Sequence, residues 1–276
     1  MKLAFVDLET TGGTAGVDRI TEIGIVELDT DDNAAASAWS SEWSSLVNPQ
    51  MHIPTFIQQL TGISNAMVAD APPFEELADA VSRRLEGRIF VAHNAKFDYG
   101  FLQAEFARAG IEFRATVLCT VKLSRRLFPE HRKHSLDTLI ERHALRVDDR
   151  HRALADARAI AQFWQMIEQD VAPELWRAAV TELTAAPRVP PQLDPAQIEN
   201  LPEGSGVYLL LGEADVVLHI GKSRTLKKRV LAHFNAKQTS ERAVALFEGV
   251  RRIECVQRDE ITDLNALLSE VKRART

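Results

Sequence analysis

Asp7 and Glu9 stand two apart in the stretch Leu3-Ala4-Phe5-Val6-Asp7-Leu8-Glu9-Thr10-Thr11-Gly12-Gly13, where an apolar run gives way to two acids and a glycine-rich turn. Alternate side chains of a β-strand share a face, so the two carboxyls project together, about 7 Å apart at roughly 3.3 Å per residue. Bare anions at that separation repel by about 2.5 kcal/mol at an effective dielectric near 20. If both are ionised, something positive should sit beside them. Asp-x-Glu alone is equally compatible with one acid facing solvent or carrying a proton. What decides is whether other segments bring further acids to the same place.

Two segments offer them. His93-Asn94-Ala95-Lys96-Phe97-Asp98 follows a short apolar run, and His151 precedes Asp156 by five residues at the head of a long helical pattern. Taken singly, Asp98 is a helix-start acid favoured by the dipole, Asp156 a solvent-face acid and His151 a capping residue. Taken together they make a different case. Four carboxylates within about 7 Å form six pairs, a repulsion on the order of 10 kcal/mol, comparable with the stability of a whole domain. Two divalent cations would remove it. Hard cations on oxygen ligands suit phosphate oxygens, and a pair about 4 Å apart can stabilise both the attacking and the leaving oxygen of an in-line displacement. An imidazole, which titrates near neutrality, can take the proton of the attacking water.

The elements that must hold these groups follow from periodicity. Residues 20–28 alternate with branched side chains and read as a second strand, and residues 39–47 as a third, an antiparallel start. Short helices are expected over 54–60 and, with Phe74, Leu77, Val81 and Leu85 at helical spacing, over 73–85. A buried strand over 88–92 leads into a helix that runs through Arg108. Further helices are expected over 117–127, 135–143, 153–168 and 173–183. Strands first, then strands interleaved with helices, predict a mixed α/β domain, residues 1–184. Residues 185–202 carry Pro187, Pro190, Pro191, Pro195 and Pro202, which predicts an extended, semi-rigid linker. In the remainder, residues 203–276, apolar runs over 206–211 and 216–221 read as a hairpin, with helices over 226–234 and 262–273.

The 276-residue chain has 45% hydrophobic and 26% charged residues, as globular proteins do. It shows no run long enough to span a membrane and no signal-peptide pattern at its start, so no membrane association and a cytoplasmic location are expected. Cys119 and Cys255 stand far apart without ligand spacing, which argues against zinc or a disulfide. The net charge of −6 is uneven, because from Glu203 onward there are 13 Lys/Arg against 10 Asp/Glu. Lys222, Arg224, Lys227, Lys228 and Arg229 put five charges in eight residues beside Tyr208 and His219. A solvated helix face explains such a run, and so does phosphate contact.

The Asp-x-Glu strand end, the His-Asn-x-x-Phe-Asp junction and the His-x-x-x-x-Asp helix together resemble the DEDDh branch of the DnaQ-like 3′-to-5′ exonucleases, which have an RNase H-like fold. The resemblance covers about residues 2–169. It implies that Asp7, Glu9, Asp98 and Asp156 hold two divalent cations, Mg²⁺ or Mn²⁺, and that His151 is the general base. It further implies that Leu60 and Ile63, in a segment over 54–70, wall the terminal nucleotide. Thr10 and the Gly12-Gly13 turn would let the 3′ hydroxyl approach, with Asn94 nearby; Phe97 is read as core. His134-Ser135-Leu136-Asp137 also matches a recurrent family segment, read as structural.

Gly206-Val207-Tyr208, His219-Ile220-Gly221-Lys222 and Leu226-Lys227-Lys228-Arg229-Val230 resemble the GIY-YIG nuclease module of UvrC-type repair nucleases. That likeness implies a small α/β fold in which Tyr208 and Arg229 sit around the scissile phosphate and Glu270 binds a metal, with His219 and Lys222 as further candidate residues of the module. His219 stands where the family has a second tyrosine. The likeness runs to Thr276, short of the family's final segment, which leaves either a clipped nuclease or a binding unit. The expected partner is nucleic acid, DNA ahead of RNA, in a repair or polymerase setting. The rival readings are an RNA exonuclease and a non-catalytic nucleic-acid-binding adaptor.

Overall fold

The computed structural model describes residues 1–29, 39–185, 189–234 and 240–257, together with Leu268, Ser269 and Arg273. The chain divides into two units, Met1–Ala185 and Ala186–Thr276.

In the first unit, β1 (Lys2–Thr10) lies at the centre of a five-stranded sheet. On one side it pairs antiparallel with β2 (Ile20–Asp29), which pairs antiparallel with β3 (Trp39–Leu46). Three helices follow: α1 (Thr55–Thr61), α2 (Asn65–Val68) and α3 (Phe74–Leu85). On the other side of β1, β4 (Ile89–Ala92) pairs parallel with it and with β5 (Val117–Cys119). The helix α4 (Lys96–Arg108) connects β4 to β5, and α5 (Thr120–Leu127), α6 (Leu136–His143), α7 (Ala153–Asp170) and α8 (Pro173–Thr184) complete the unit.

The alternation of β1 sorts the core into two layers. Leu3 and Phe5 pack with Trp164, Phe163 and Ile160 of α7, whereas Ala4, Val6 and Leu8 pack with Phe74 of α3 and Phe101 and Phe106 of α4. Asp7 and Glu9 share the parity of Leu3 and Phe5, so they emerge on the α7 face.

The expected helix over 117–127 gives up its first three residues to β5. Val117, Leu118 and Cys119 pair with Phe90, Val91 and Ala92, and the open edge of a short parallel strand outweighs local helix preference. Among the described residues no helix is long and apolar enough to cross a membrane.

The second unit is built on a three-stranded antiparallel sheet in which β6 (Gly206–Leu211) lies between β7 (Val217–Ser223) and β8 (Arg252–Gln257). All six residues of β6 are buried. Helices α10 (Leu226–His233) and α11 (Glu241–Gly249) accompany the sheet; neither α11 nor β8 was expected from the sequence.

The proline-rich stretch is not wholly extended. Residues 195–199 form the short helix α9 (Pro195–Glu199), capped by the Asp194 carboxylate, which accepts the Ala196 N–H at 2.9 Å. Leu193 and Leu201 are buried in the same core as Tyr208, Leu226 and Val230. Apolar anchors on either side of a capped turn overcome the extended preference of the prolines, since Pro is well suited to the first helical turn.

Candidate active site

The end of β1 gathers the acids that the sequence singles out. Asp7 and Glu9 are half-buried, while Asp98 and Asp156 are each only 3% exposed. β4 accompanies β1 only through Phe5, so the backbone beyond it is open on that side. Asp98, in the first turn of α4, fills the opening, and its carboxylate accepts the N–H groups of Leu8 and of Asp98 itself. Asp156 arrives from the first turn of α7 and accepts the backbone N–H of His151. The ligand atoms of Glu9, His151 and Asp156 all lie within 4.8 Å of one another.

Two β2 residues bring α7 this close. Across the β1–β2 ladder Asp7 faces Gly24 and Glu9 faces Glu22. A Cβ on Gly24 would stand 2.3 Å from the carbonyl carbon of Ala153, so only glycine lets the helix start sit against the strand. Glu22, 4% exposed, accepts the Ala153 N–H at 2.9 Å and three hydrogen bonds from Arg152, from Nη2 at 2.6 Å and from a shared Nε at 3.0 and 3.2 Å. It thereby caps α7 in place of Arg152, whose side chain makes no capping bond. His151 is thus held between a clamped arginine and Arg150, with a positive φ of 64°.

The electrostatics are those of carboxylates forced together. Burial holds the Asp7 carboxyl well above its ordinary range, and Asp98, Asp156 and Glu9 push in the same direction. Glu9 is pushed up to about 8, first by burial, then by Asp156 and Glu22. Burial carries Asp98 to about 7 against its two N–H donors. Asp156 is also raised by burial, opposed by Arg150. Arg150 donates to Asp156 Oδ2 and, from Nε at 2.8 Å, to Asp137 Oδ1.

The other expected site residues fall into two groups. Thr10 is buried and its hydroxyl donates to the Gly12 carbonyl at 2.7 Å, tying the turn that follows β1. Leu60 is 55% exposed, and Asn94 is exposed with a φ of 63°. Phe97 packs on Phe101 at 4.8 Å between ring centroids. Ile63, expected to face a nucleotide, is instead fully buried with Ile53, Ile57 and Val68. Gly62 ends α1 in a left-handed conformation with its N–H on the Gln58 carbonyl, and the apolar residue after such a cap folds back on its own helix.

In the second unit the Tyr208 hydroxyl lies 2.7 Å from His233 Nε2 and 3.4 Å from His219 Nε2. The two imidazoles are 4.5 Å apart between centroids, and Arg229 hydrogen-bonds the phenol. Gly221, opposite Tyr208 in the ladder, makes room for it, since a Cβ there would lie 2.4 Å from the hydroxyl. Burial pushes His233 down to about 4, helped by His219 and Arg229, and lowers His219 as well. Lys222 and Arg229 are exposed, and Lys227 reaches Glu203 at 3.7 Å and the Glu199 carbonyl at 3.2 Å. Glu270 lies outside the described residues, as does most of the helix expected over 262–273.

Three residues of these clusters were missed from sequence. His233 lies four positions after Arg229, on the same face of α10, a signal that was readable. Glu22 and Arg150 make contacts that no local pattern announces.

The mixed sheet with acids gathered at the end of its central strand is the architecture of RNase H-like exonucleases. The chain belongs to the exonuclease family, which its residues 4–163 match, and residues 204–275 match the UvrC-like GIY-YIG domain. Over 269 residues it is 36% identical to a Mycobacterium tuberculosis (strain CDC 1551 / Oshkosh) protein that carries the name bifunctional exonuclease/endonuclease; the match covers 91% of this chain and 40% of that protein. It is 40% identical over 158 residues to the 3′-5′ exonuclease DinG of Bacillus subtilis (strain 168), covering 56% of this chain and 16% of that one. The chain thus spans well under half the length of either relative. Among solved structures, the fold is similar to the nuclease domain of 3′hExo, a DEDDh family member bound to rAMP, at 20% identity and a TM-score of 0.52, covering 62% of this chain and 92% of that one.

Proposed function

We propose that residues 1–184 form a metal-dependent 3′-to-5′ exonuclease that hydrolyses the terminal phosphodiester of DNA and releases nucleoside 5′-monophosphates, in DNA repair or proofreading. The observation that carries this reading is the convergence of Asp7, Glu9, Asp98 and Asp156, from three distant segments, on one strand end beside His151. The name of the Bacillus relative supports the direction of cutting.

The donor set fits hard divalent cations. It is made of carboxylate oxygens with one imidazole, and Asp156 Oδ1 is buried without a hydrogen-bond partner, which leaves a lone pair for a ligand. Asp7, Glu9, Asp98 and Asp156 would hold Mg²⁺ or Mn²⁺. Such ions supply polarisation of the phosphate and stabilisation of charge on the attacking and leaving oxygens. His151 accepts the proton of the attacking water as its oxygen bonds to phosphorus. The bond from phosphorus to the 3′ oxygen breaks, and that oxygen is protonated to become the new 3′ hydroxyl. The Glu22–Arg152 clamp orients the His151 backbone, and Leu60 with the Thr10 turn borders the terminal nucleotide.

The Tyr208–His233 hydrogen bond supports a second reading for residues 203–276, a DNA-binding or endonucleolytic module. Two neutral imidazoles beside a phenol can draw off a proton, and Arg229 can pair with phosphate.

The test of the first reading is digestion of matched single- and double-stranded DNA and RNA labelled at the 5′ end, with Mg²⁺, Mn²⁺ or EDTA. Stepwise shortening of DNA with either ion, none in EDTA and none with Asp7→Asn is the expected result. Undiminished digestion in EDTA removes the metal mechanism, and preference for RNA transfers the site to the RNA reading.

A further inference from the structure

Arg150 is a cation already resident at the acid cluster, and its position resting on Asp156 has a consequence for how the site loads. Its guanidinium bridges two carboxylates of very different exposure. Asp156 has a side chain 5% exposed, and Asp137, in the first turn of α6, has one 71% exposed. Glu22 holds the Arg152 side chain and the Ala153 N–H, two and three residues on, an anchor for the loop that does not involve the side chain of Arg150. Asp156 offers two oxygens in two states: Oδ2 accepts from Arg150, and Oδ1 is buried with no partner. A divalent ion that uses Asp156 must share that carboxylate with a fixed positive charge or displace it.

We propose that Arg150 is a resident counter-cation of this site, displaced from Asp156 when the ion loads, retained by Asp137, and turned toward the phosphate of the incoming strand. The proposal rests on the reading of the acid cluster as a metal site. Asp137 is the feature that makes the hand-over possible. It keeps one hydrogen bond to Nε when the Nη1 contact is released, and its exposure sets the freed guanidinium on the solvent side, where a polyanion arrives. A planar guanidinium left with free N–H groups is a ready phosphate ligand.

The experiment uses the full chain, freed of ions with EDTA and dialysed. Mn²⁺ binding without nucleic acid is followed by the electron paramagnetic resonance signal of free Mn²⁺, for the wild type, Arg150→Gln and Arg150→Lys. Arg150→Gln should bind the first Mn²⁺ roughly fivefold more tightly, the factor expected for losing a competing, partly exposed ion pair, and Arg150→Lys should return toward the wild type. If the arginine merely braces the loop that carries His151, Arg150→Gln binds Mn²⁺ equally or more weakly, and the proposal falls. Oligonucleotide affinity in Ca²⁺, read by fluorescence anisotropy, should drop several-fold in Arg150→Gln; an unchanged affinity overturns the hand-over to phosphate. A wild-type protein that takes up no Mn²⁺ overturns the metal site itself, an outcome distinct from either.

Discussion

Carboxyls kept protonated by burial make the ion-free first unit weaker as pH rises. Glu9 titrates at about 8 instead of 4.5 and Asp98 at about 7 instead of 3.8, with Asp7 raised in the same sense. Between pH 4.5 and 8 the folded chain therefore holds protons that the unfolded chain has released, and stability falls with rising pH across that window. At about 1.4 kcal/mol per pH unit, Glu9 alone corresponds to roughly 5 kcal/mol as an upper figure. Water around the half-buried carboxylate, and the sharing of protons among neighbours, reduce what the whole cluster delivers to about 3–5 kcal/mol. That is a large part of a typical domain stability of about 5–15 kcal/mol, and in a unit of this size it lowers Tm by roughly 10 °C.

The measurement is simple because all four tryptophans, Trp39, Trp43, Trp164 and Trp176, belong to the first unit, so indole fluorescence follows its unfolding alone. In EDTA, Tm should fall from pH 5.5 to 8, the window in which the folded chain still holds protons that the unfolded chain has lost. With saturating Mn²⁺ the trend should flatten or reverse, since an ion that binds only deprotonated, folded carboxylates gains affinity as the protons leave. An ion-free melt that is level or rises over that range would refute the argument that these acids are buried together.

Gly24→Ala should cost about 2–4 kcal/mol in the same fluorescence melt, because its Cβ meets the Ala153 backbone and α7 must lift off β2; a change within error would mean that the helix start is not pinned there. Arg229→Ala should weaken DNA affinity and reduce the slope of log affinity against log salt by about 1, and an unaltered slope would return the basic run to a solvated helix face.

The legible part of the site was the part with local periodicity. Parity along β1 put Asp7 and Glu9 on one face, and the helix starts at Asp98 and Asp156 could be read from pattern. Pairings across long separations could not. Glu22 meets Arg152 across a separation of 130 positions in the chain, and nothing near Glu22 distinguishes it from any polar residue of an alternating strand. The three residues of β5 were hidden inside a pattern that also suits a helix. The short helix α9 was a different failure, for Asp194-Pro195 is a legible start signal that the run of prolines obscured. Ile63 faces inward because the left-handed Gly62 that ends α1 turns the next side chain back onto its own helix, a reversal that the motif does not announce.

The arrangement of donors is the physical ground for the proposal that the cluster takes ions. Asp98 is stabilised by two backbone N–H groups and Asp156 by one, donors that lower a carboxylate without neutralising it. Arg152, the other nearby guanidinium, is committed to Glu22, which leaves Arg150 with half of its bonding on the cluster and half on Asp137. Four acids against that share of one cation leave protons on the carboxyls near neutral pH. A fold that gathers carboxylates, fixes their backbone by capping and supplies too little positive charge is arranged to take its remaining charge from outside.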